Sequence, residues 1–330
     1  MLPAHYEIPD LSLSNDLLTP LIAAHEVVTR LDERVRQASI GAGWAARSLF
    51  AEACACQLTE GDLVHLEDLV LLDAGSFSGV ISMPLASARI ILRTWRHGAA
   101  ADAAALLRAE RPGVGEAEPA PATAAFVAPE RRPSQQHSEV CDGALVDVPR
   151  RDAWRRVWQQ TRDLPPLLAA AIVWDAWLTL EPEAQSAWRA PLLAALTLRQ
   201  RGLTNGWLVP IDTGRRHAPY RRHPAHSVPV RMAGFQSWVQ TGAERGMNSL
   251  KTLTLANETM RISMKAKRKS SRLPELADLL ISRPLVSAPT VAKALGITPQ
   301  AVLRMVPQLG SVPREISGRT RYRVWSITAP

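Results

Sequence analysis

Apolar residues recur at three- and four-residue steps over most of the chain, and this spacing predicts amphipathic helices. The pattern begins with Leu17, Leu21 and Ala24 and reaches a strongly apolar stretch at residues 167–180. A helix that is apolar on all sides belongs in the centre of a core, so we expect that stretch to be buried. Alternation typical of strands is confined to residues 312–325. The pattern therefore predicts a mainly α-helical fold with one small β-hairpin.

Composition divides this helical pattern into segments. Residues 111–138 are rich in proline and alanine and contain no leucine or isoleucine, so they predict an extended linker. We expect a helical domain over residues 11–110 before the linker and a second one over residues 140–262 after it. Within these domains, residues 41–43 are expected to end the first helix. Residues 215–231 are expected to form a solvated basic loop, which is able to touch nucleic acid.

The C-terminal segment, residues 270–328, has the pattern of a helix-turn-helix. Ser287 precedes a short apolar helix and is expected to cap it. Gly296 then ends that helix, where a tight turn requires positive φ. Thr298, followed by proline, begins a second helix, which exposes Gln300 and Arg304 on its first two turns. We interpret this second helix, residues 299–309, as a recognition helix that presents both side chains to base edges, with Thr298 anchoring a phosphate.

A hairpin after the recognition helix completes the pattern of a winged helix-turn-helix. Arginines surround its turn, and a basic wing beside a recognition helix suits contact with DNA phosphates. These arginines are Arg319, Arg321 and Arg323. A second basic group precedes the domain and is either a further set of phosphate contacts or a plain solvated run. It consists of Lys265, Lys267, Arg268 and Lys269.

The distribution of charge favours DNA as the partner. Residues 251–330 contain fourteen Lys or Arg against four Asp or Glu, a net charge of about +10, whereas the whole chain carries +8. The positive charge therefore lies where the DNA-binding domain is predicted, as expected for a protein that binds the phosphate backbone.

Other classes of function receive less support. The N-terminus lacks the pattern of a signal peptide, and the longest apolar run, residues 167–174, is too short to span a bilayer. Cys54 and Cys56, with His65 nearby, raise the alternative of a metal site. Residues two apart point to opposite sides of a helix, however, so buried apolar roles are favoured for both cysteines. We expect a cytoplasmic, nucleoid-associated protein that needs no cofactor.

Parts of the chain resemble Fic-type proteins, which bind a nucleotide through a His-Pro-Phe-x-Asp-Gly-Asn-Gly-Arg-x-x-Arg loop and move AMP onto a hydroxyl. Residues 180–192 correspond to this loop, and Pro182 and Arg189 match it. Residues 56–61 resemble the inhibitory segment of that family, and residues 235–242 resemble its tryptophan-containing helix start. The resemblance implies a degenerate region without catalytic activity, because base, metal and oxyanion groups are needed together. The departures are Glu181 for the base histidine, Gln185 for the metal carboxylate, Ala187 for the asparagine and Leu192 for the second arginine.

More of the chain resembles an uncharacterised alphaproteobacterial family, rhizobial and often plasmid-borne, that joins a helical domain of unknown function to a C-terminal helix-turn-helix. The resemblance covers most of the chain apart from the linker and implies a DNA-binding role. The matching stretches are residues 46–55, 63–71, 271–274, 284–288 and 318–325.

These observations favour a sequence-specific DNA-binding protein that regulates transcription, with a helical region for oligomerisation or sensing. The paired helical faces allow a homodimer, which would recognise a partly palindromic site. One alternative is a divergent Fic-type AMP transferase in which Glu181 acts as the base. Another is an adaptor or ligand sensor that uses Arg189 as an anion contact, although an exposed helix position without a role fits Arg189 better.

Overall fold

Helices make up most of the protein in the computed structural model, which describes residues 5–8, 15–108, 147–184, 186–223, 225–265, 272–317 and 323–327. Among these residues, strands occur only after residue 285, where they form one small sheet. The predicted fold class, mainly α-helical with a small β-hairpin near the C-terminus, is confirmed. The linker predicted at residues 111–138 lies outside the described residues.

The N-terminal helices bury the apolar stripes that their spacing predicts; in the first of them, for example, Leu17 and Leu31 are fully buried. The prediction that residues 41–43 end a helix is wrong, because they form the first turn of the second helix. Gly43 is needed there for close packing, since a Cβ at this position would lie 2.8 Å from Cγ2 of Ile281. The helices are α1 Asn15–Gln37, α2 Gly41–Thr59, α3 Leu66–Asp73, α4 Met83–Ala100 and α5 Ala103–Arg108.

The helices after the linker surround helix α7, Pro166–Leu180, which is buried along nearly its whole length, as its apolar sequence predicts. The prediction of one basic loop over residues 215–231 is wrong at both ends, because a helix ends at His217 and the next begins at Val228. The helix that begins at Val228 carries Phe235 and Trp238 on its apolar face. Its Ser-Val-Pro start lets it begin before these residues, because proline is favoured in the first turn of a helix. The helices are α6 Val148–Gln160, α7 Pro166–Leu180, α8 Arg189–Gln200, α9 Ile211–His217 and α10 Val228–Met264.

Helices from before and after the linker share one hydrophobic core. The long helix α10 packs along α1 and α9, and α2 packs against α9. Between them, the rings of Trp44 and Trp207 meet edge to face with their centroids 5.3 Å apart. The helices of the two predicted domains therefore stabilise one another.

The C-terminal segment contains a helix-turn-helix and a three-stranded antiparallel sheet. Its strands are β1 Val286–Ser287, β2 Arg314–Glu315 and β3 Val324–Ser326, in the order β1-β3-β2. The strands β2 and β3 form the predicted hairpin, with Glu315 opposite Trp325. The sequence pattern did not reveal β1, a two-residue strand that pairs with β3 just before the first helix of the motif. The elements are α11 Leu273–Ser282, β1 Val286–Ser287, α12 Ala288–Leu295, α13 Pro299–Met305, β2 Arg314–Glu315 and β3 Val324–Ser326.

The helix-turn-helix segment is docked on the helical core through α11, which packs against α2 and α10. The guanidinium of Arg47, on α2, donates hydrogen bonds to the carbonyl oxygens of Leu280, Arg283 and Pro284, at 3.0, 2.5 and 3.3 Å respectively. These carbonyls belong to the last turn of α11 and the residues after it, which leave acceptors without an intrahelical donor. Arg47 therefore satisfies the end of α11 and holds it against the core.

Candidate nucleic-acid interface

The turn of the helix-turn-helix is built from three local signals. The Ser287 hydroxyl accepts a hydrogen bond from the backbone N–H of Thr290 at 3.3 Å, which caps α12. Gly296 ends α12 with φ of 64°, a left-handed conformation that glycine adopts without strain. The Thr298 hydroxyl then accepts from the N–H of Ala301 at 3.2 Å and caps α13. The predicted caps at Ser287 and Thr298 and the predicted turn at Gly296 are confirmed, whereas the phosphate contact of Thr298 stays a prediction.

The second helix of the motif, α13, turns one face to the domain core and the other to solvent. Val302 is fully buried, whereas Gln300 and Arg304 are exposed. The predicted helical extent to residue 309 is wrong, because α13 ends at Met305 and continues as a 3₁₀ turn. Pro307 accounts for this change, since it has no N–H to donate to the carbonyl four residues earlier.

One exposed residue of α13 was not singled out by the sequence pattern. Leu303 is 38% exposed and lies between Gln300 and Arg304 on the solvent face of the helix. The exposure of Leu303 could have been predicted from helical spacing, because positions 300, 303 and 304 share one face when position 302 points inward. Together these three side chains give the exposed face one amide, one apolar group and one guanidinium.

The basic residues predicted around α13 are only partly described. Lys265 is exposed at the C-terminal end of α10. Arg323 is exposed beside β3, and its Nε lies 3.6 Å from a carboxylate oxygen of Glu315. An exposed ion pair of this kind is weak, so the pairing leaves Arg323 able to exchange Glu315 for a phosphate. The remaining predicted contacts, Lys267, Arg268, Lys269, Arg319 and Arg321, lie outside the described residues.

Comparison with known proteins places this interface in a family. Residues 273–328 match the family described as HTH DNA binding domain, and residues 142–265 match one described as Protein of unknown function (DUF1612). Over 380 aligned residues the chain is 33% identical to "Uncharacterized protein y4cF" of Sinorhizobium fredii, with 98% of this chain and 99% of that protein covered. The chain belongs to the family of this rhizobial protein. The predicted pairing of a domain of unknown function with a C-terminal helix-turn-helix DNA-binding domain is confirmed.

Of the stretches that resemble Fic proteins, residues 180–192 and 235–242 lie inside the matched domain of unknown function and residues 56–61 lie before it. Their Fic-like character stays a prediction. The expectation that Arg189 is an exposed helix residue is wrong. Its side chain is buried, and Nη1 lies 2.7 Å from a carboxylate oxygen of Glu183. In the same loop, the carbonyl of Pro182 accepts a hydrogen bond from the N–H of Asp147 at 2.9 Å. Contacts within the protein thus hold this loop in place, and the charge of Arg189 is neutralised by Glu183.

A buried acidic cluster joins α2 to α9. Glu52, Cys56 and Asp212 place one potential metal-ligand atom each within 4.8 Å of one another. Hydrogen bonding within the protein accounts for their arrangement, since the Cys56 thiol donates to Asp212 at 3.0 Å and Glu52 accepts backbone N–H groups of α9. His65, which the sequence placed near the cysteines, is instead exposed at the start of α3. We therefore assign the cluster to helix docking.

Part of the positive charge of residues 215–231 is used inside the protein. Asp175, fully buried on α7, accepts hydrogen bonds from Nε and Nη2 of Arg231 at 2.8 and 2.9 Å and from the Tyr6 hydroxyl at 3.0 Å. Arg222 also lies 3.5 Å from the same carboxylate. The hydrogen bond to Asp175 raises the pKa of Arg231, so this guanidinium stays charged. These two arginines stabilise the core and are poor candidates for contact with nucleic acid.

No helix of the described residues combines the length and the apolar character that are needed to cross a bilayer.

Proposed function

We propose that this protein binds specific DNA sequences through α13 and regulates transcription. The observation that carries the proposal is the exposed face of α13, in a segment that matches a DNA-binding helix-turn-helix. Gln300 presents an amide able to pair with adenine, and Arg304 presents a guanidinium able to pair with guanine. Both side chains start from a helix whose N-terminus is fixed by the Thr298 cap.

Charge supports contact with the DNA backbone. Residues 251–330, which include this helix, carry a net charge of about +10. Lys265 and Arg323 are exposed, and both are therefore available to phosphates beside the groove. We propose that the hairpin of β2 and β3 acts as a wing in this way, with phosphate contacts from Arg323 and, as the sequence predicts, from Arg319 and Arg321.

We further propose that the helical region is non-catalytic and serves oligomerisation or sensing. The position of the Fic base is Glu181, and Arg189 is already paired with Glu183, which removes the anion contact on which a nucleotide sensor would depend. Labelled ATP incubated with the intact protein and a cell lysate should transfer no label. We propose a homodimer that acts on the nucleoid in the cytoplasm, since two copies of the helix-turn-helix suit a partly palindromic DNA site. Light scattering at several protein concentrations tests whether the protein is a dimer.

The proposal is tested by measuring the affinity for DNA as salt is raised. Binding to duplexes selected from source-genome fragments should weaken steeply with salt, by a slope of about 0.9 per phosphate contact on logarithmic axes. Arg304→Ala should weaken binding to the selected sequence by about 1–3 kcal/mol and reduce the preference over random DNA.

Arg93→Ala is the matched control, because Arg93 is an exposed arginine on α4 and its loss changes the net charge equally. An equal effect of the two substitutions would show that Arg304 contributes only charge. Absence of binding even at low salt would contradict the proposal and leave the segment as a protein-contact module.

A further inference from the structure

Leu303 is an apolar side chain exposed at the centre of the predicted base-reading face. Its exposed fraction is 38%, although its neighbour Val302 is fully buried. Exposed leucines are common on protein surfaces, so exposure alone assigns no role. What distinguishes Leu303 is its position three residues after Gln300 and directly before Arg304.

The exposed face of this segment consists of two parallel strips. Pro299 and Leu303 are exposed four residues apart on α13 and form an apolar strip, and Pro307, in the 3₁₀ turn that follows, is exposed as well. The second strip is polar and consists of Gln300 and Arg304, and the half-buried Gln308 donates its amide N–H to the Arg304 carbonyl at 2.9 Å. Leu303 belongs to the apolar strip, which a protein that only held DNA phosphates would not require.

We propose that Leu303 recognises the methyl group of a thymine in the major groove, beside the bases read by Gln300 and Arg304. The methyl group of thymine is the one apolar feature that a base pair presents in that groove. Gln300 and Arg304 are separated by about 6 Å along the helix, which corresponds to roughly two base-pair steps. Leu303 lies inside this interval, so its thymine belongs to the same short run of base pairs.

This inference rests on the proposed function, and its test separates the two. Duplexes that bind the full-length protein are first selected from a random pool. Each thymine of the selected sequence is then replaced in turn by uracil, which removes the methyl group and leaves base pairing unchanged. Affinities of the wild type, Leu303→Ala and the control Leu255→Ala are measured on every duplex. Leu255 is also an exposed leucine on a helix, 65% exposed on α10.

For the wild type and for Leu255→Ala, one uracil replacement should weaken binding roughly fourfold, as expected for one methyl-sized group removed from an apolar contact. Leu303→Ala should bind the thymine and uracil duplexes equally at that position. Its affinity for the uracil duplex also reports whether the variant remains folded.

Two results would overturn the inference. Sequence-specific binding in which no uracil replacement distinguishes Leu303→Ala from the wild type would reject the role of Leu303 and retain the DNA-binding function. Failure to select any duplex would reject the proposed function and this inference with it.

Discussion

At the scale of single residues, Glu52 on α2 joins that helix to α9 through several hydrogen bonds. Its carboxylate accepts hydrogen bonds from the backbone N–H of Asp212 at 2.7 Å and from the N–H and hydroxyl of Thr213 at 2.9 and 2.7 Å. It thereby caps α9 from a different helix. Burial, and next the charge of Asp212, raise the pKa of Glu52 to about 8, although the hydrogen bonds oppose this shift.

Replacement of Glu52 by glutamine should change how stability depends on pH. The raised pKa means that the folded state holds a proton that the unfolded state releases at a pKa near 4.5. The stabilisation is complete below that value and is lost as pH rises towards about 8. In Glu52→Gln, the free energy of unfolding measured in urea should fall less between about pH 5 and pH 8 than it does in the wild type. It should also be lower at every pH by about 1–3 kcal/mol, because a hydrogen-bond acceptor is lost.

Glu67→Gln is the control, because Glu67 is an exposed carboxylate on α3. Its unfolding curve should follow the wild type at every pH. An equally steep pH dependence in Glu52→Gln and the wild type would show that another group is responsible.

At the scale of elements, the helix-turn-helix could be predicted from sequence because its boundaries depend on neighbouring residues. Caps at Ser287 and Thr298 and the glycine between the helices act over three or four positions. The strand β1 was missed because its pairing partner, β3, is distant in the sequence, with Val286 opposite Trp325, 39 residues later. A two-residue strand has no periodicity of its own, so only the folded partner reveals it.

Gly296→Ala should destabilise the protein by roughly 1–2 kcal/mol, because alanine resists the left-handed conformation of this turn. Within the part of the chain that the structure describes, no atom outside the adjoining backbone lies within 4 Å of a Cβ built there, so the cost comes from the backbone and not from crowding. Gly296→Asn should cost less, since asparagine tolerates this conformation. Urea unfolding of both variants tests the order, and an asparagine variant that is the less stable of the two would point to a steric cause.

At the scale of the whole molecule, contacts between distant residues decide how the DNA-binding segment and the helical core are joined. The sequence indicated that Arg222 and Arg231 were solvated, but both pair with Asp175, and the sequence contains no sign of this pairing. Likewise, the guanidinium of Arg47 binds carbonyls 233 and 236 residues away, and the helical pattern around Arg47 contains no sign of these partners. Such partners could not be predicted, because helical periodicity reports burial and not the identity of the neighbour.

Arg47→Ala should therefore loosen the DNA-binding segment from the core. Burial lowers the pKa of Arg47 to about 10, so the side chain is still charged at neutral pH and its hydrogen bonds are charge-assisted. Removing it leaves the carbonyls of Leu280 and Arg283 without this donor, at a cost of about 1–3 kcal/mol. Hydrogen exchange should accelerate in residues 273–327 before it changes in α7.

The control Arg34→Ala, at an exposed position of α1, should leave exchange unchanged. Unaltered exchange in Arg47→Ala would mean that the apolar contact between Gly43 and Ile281 is sufficient to hold α11 in place.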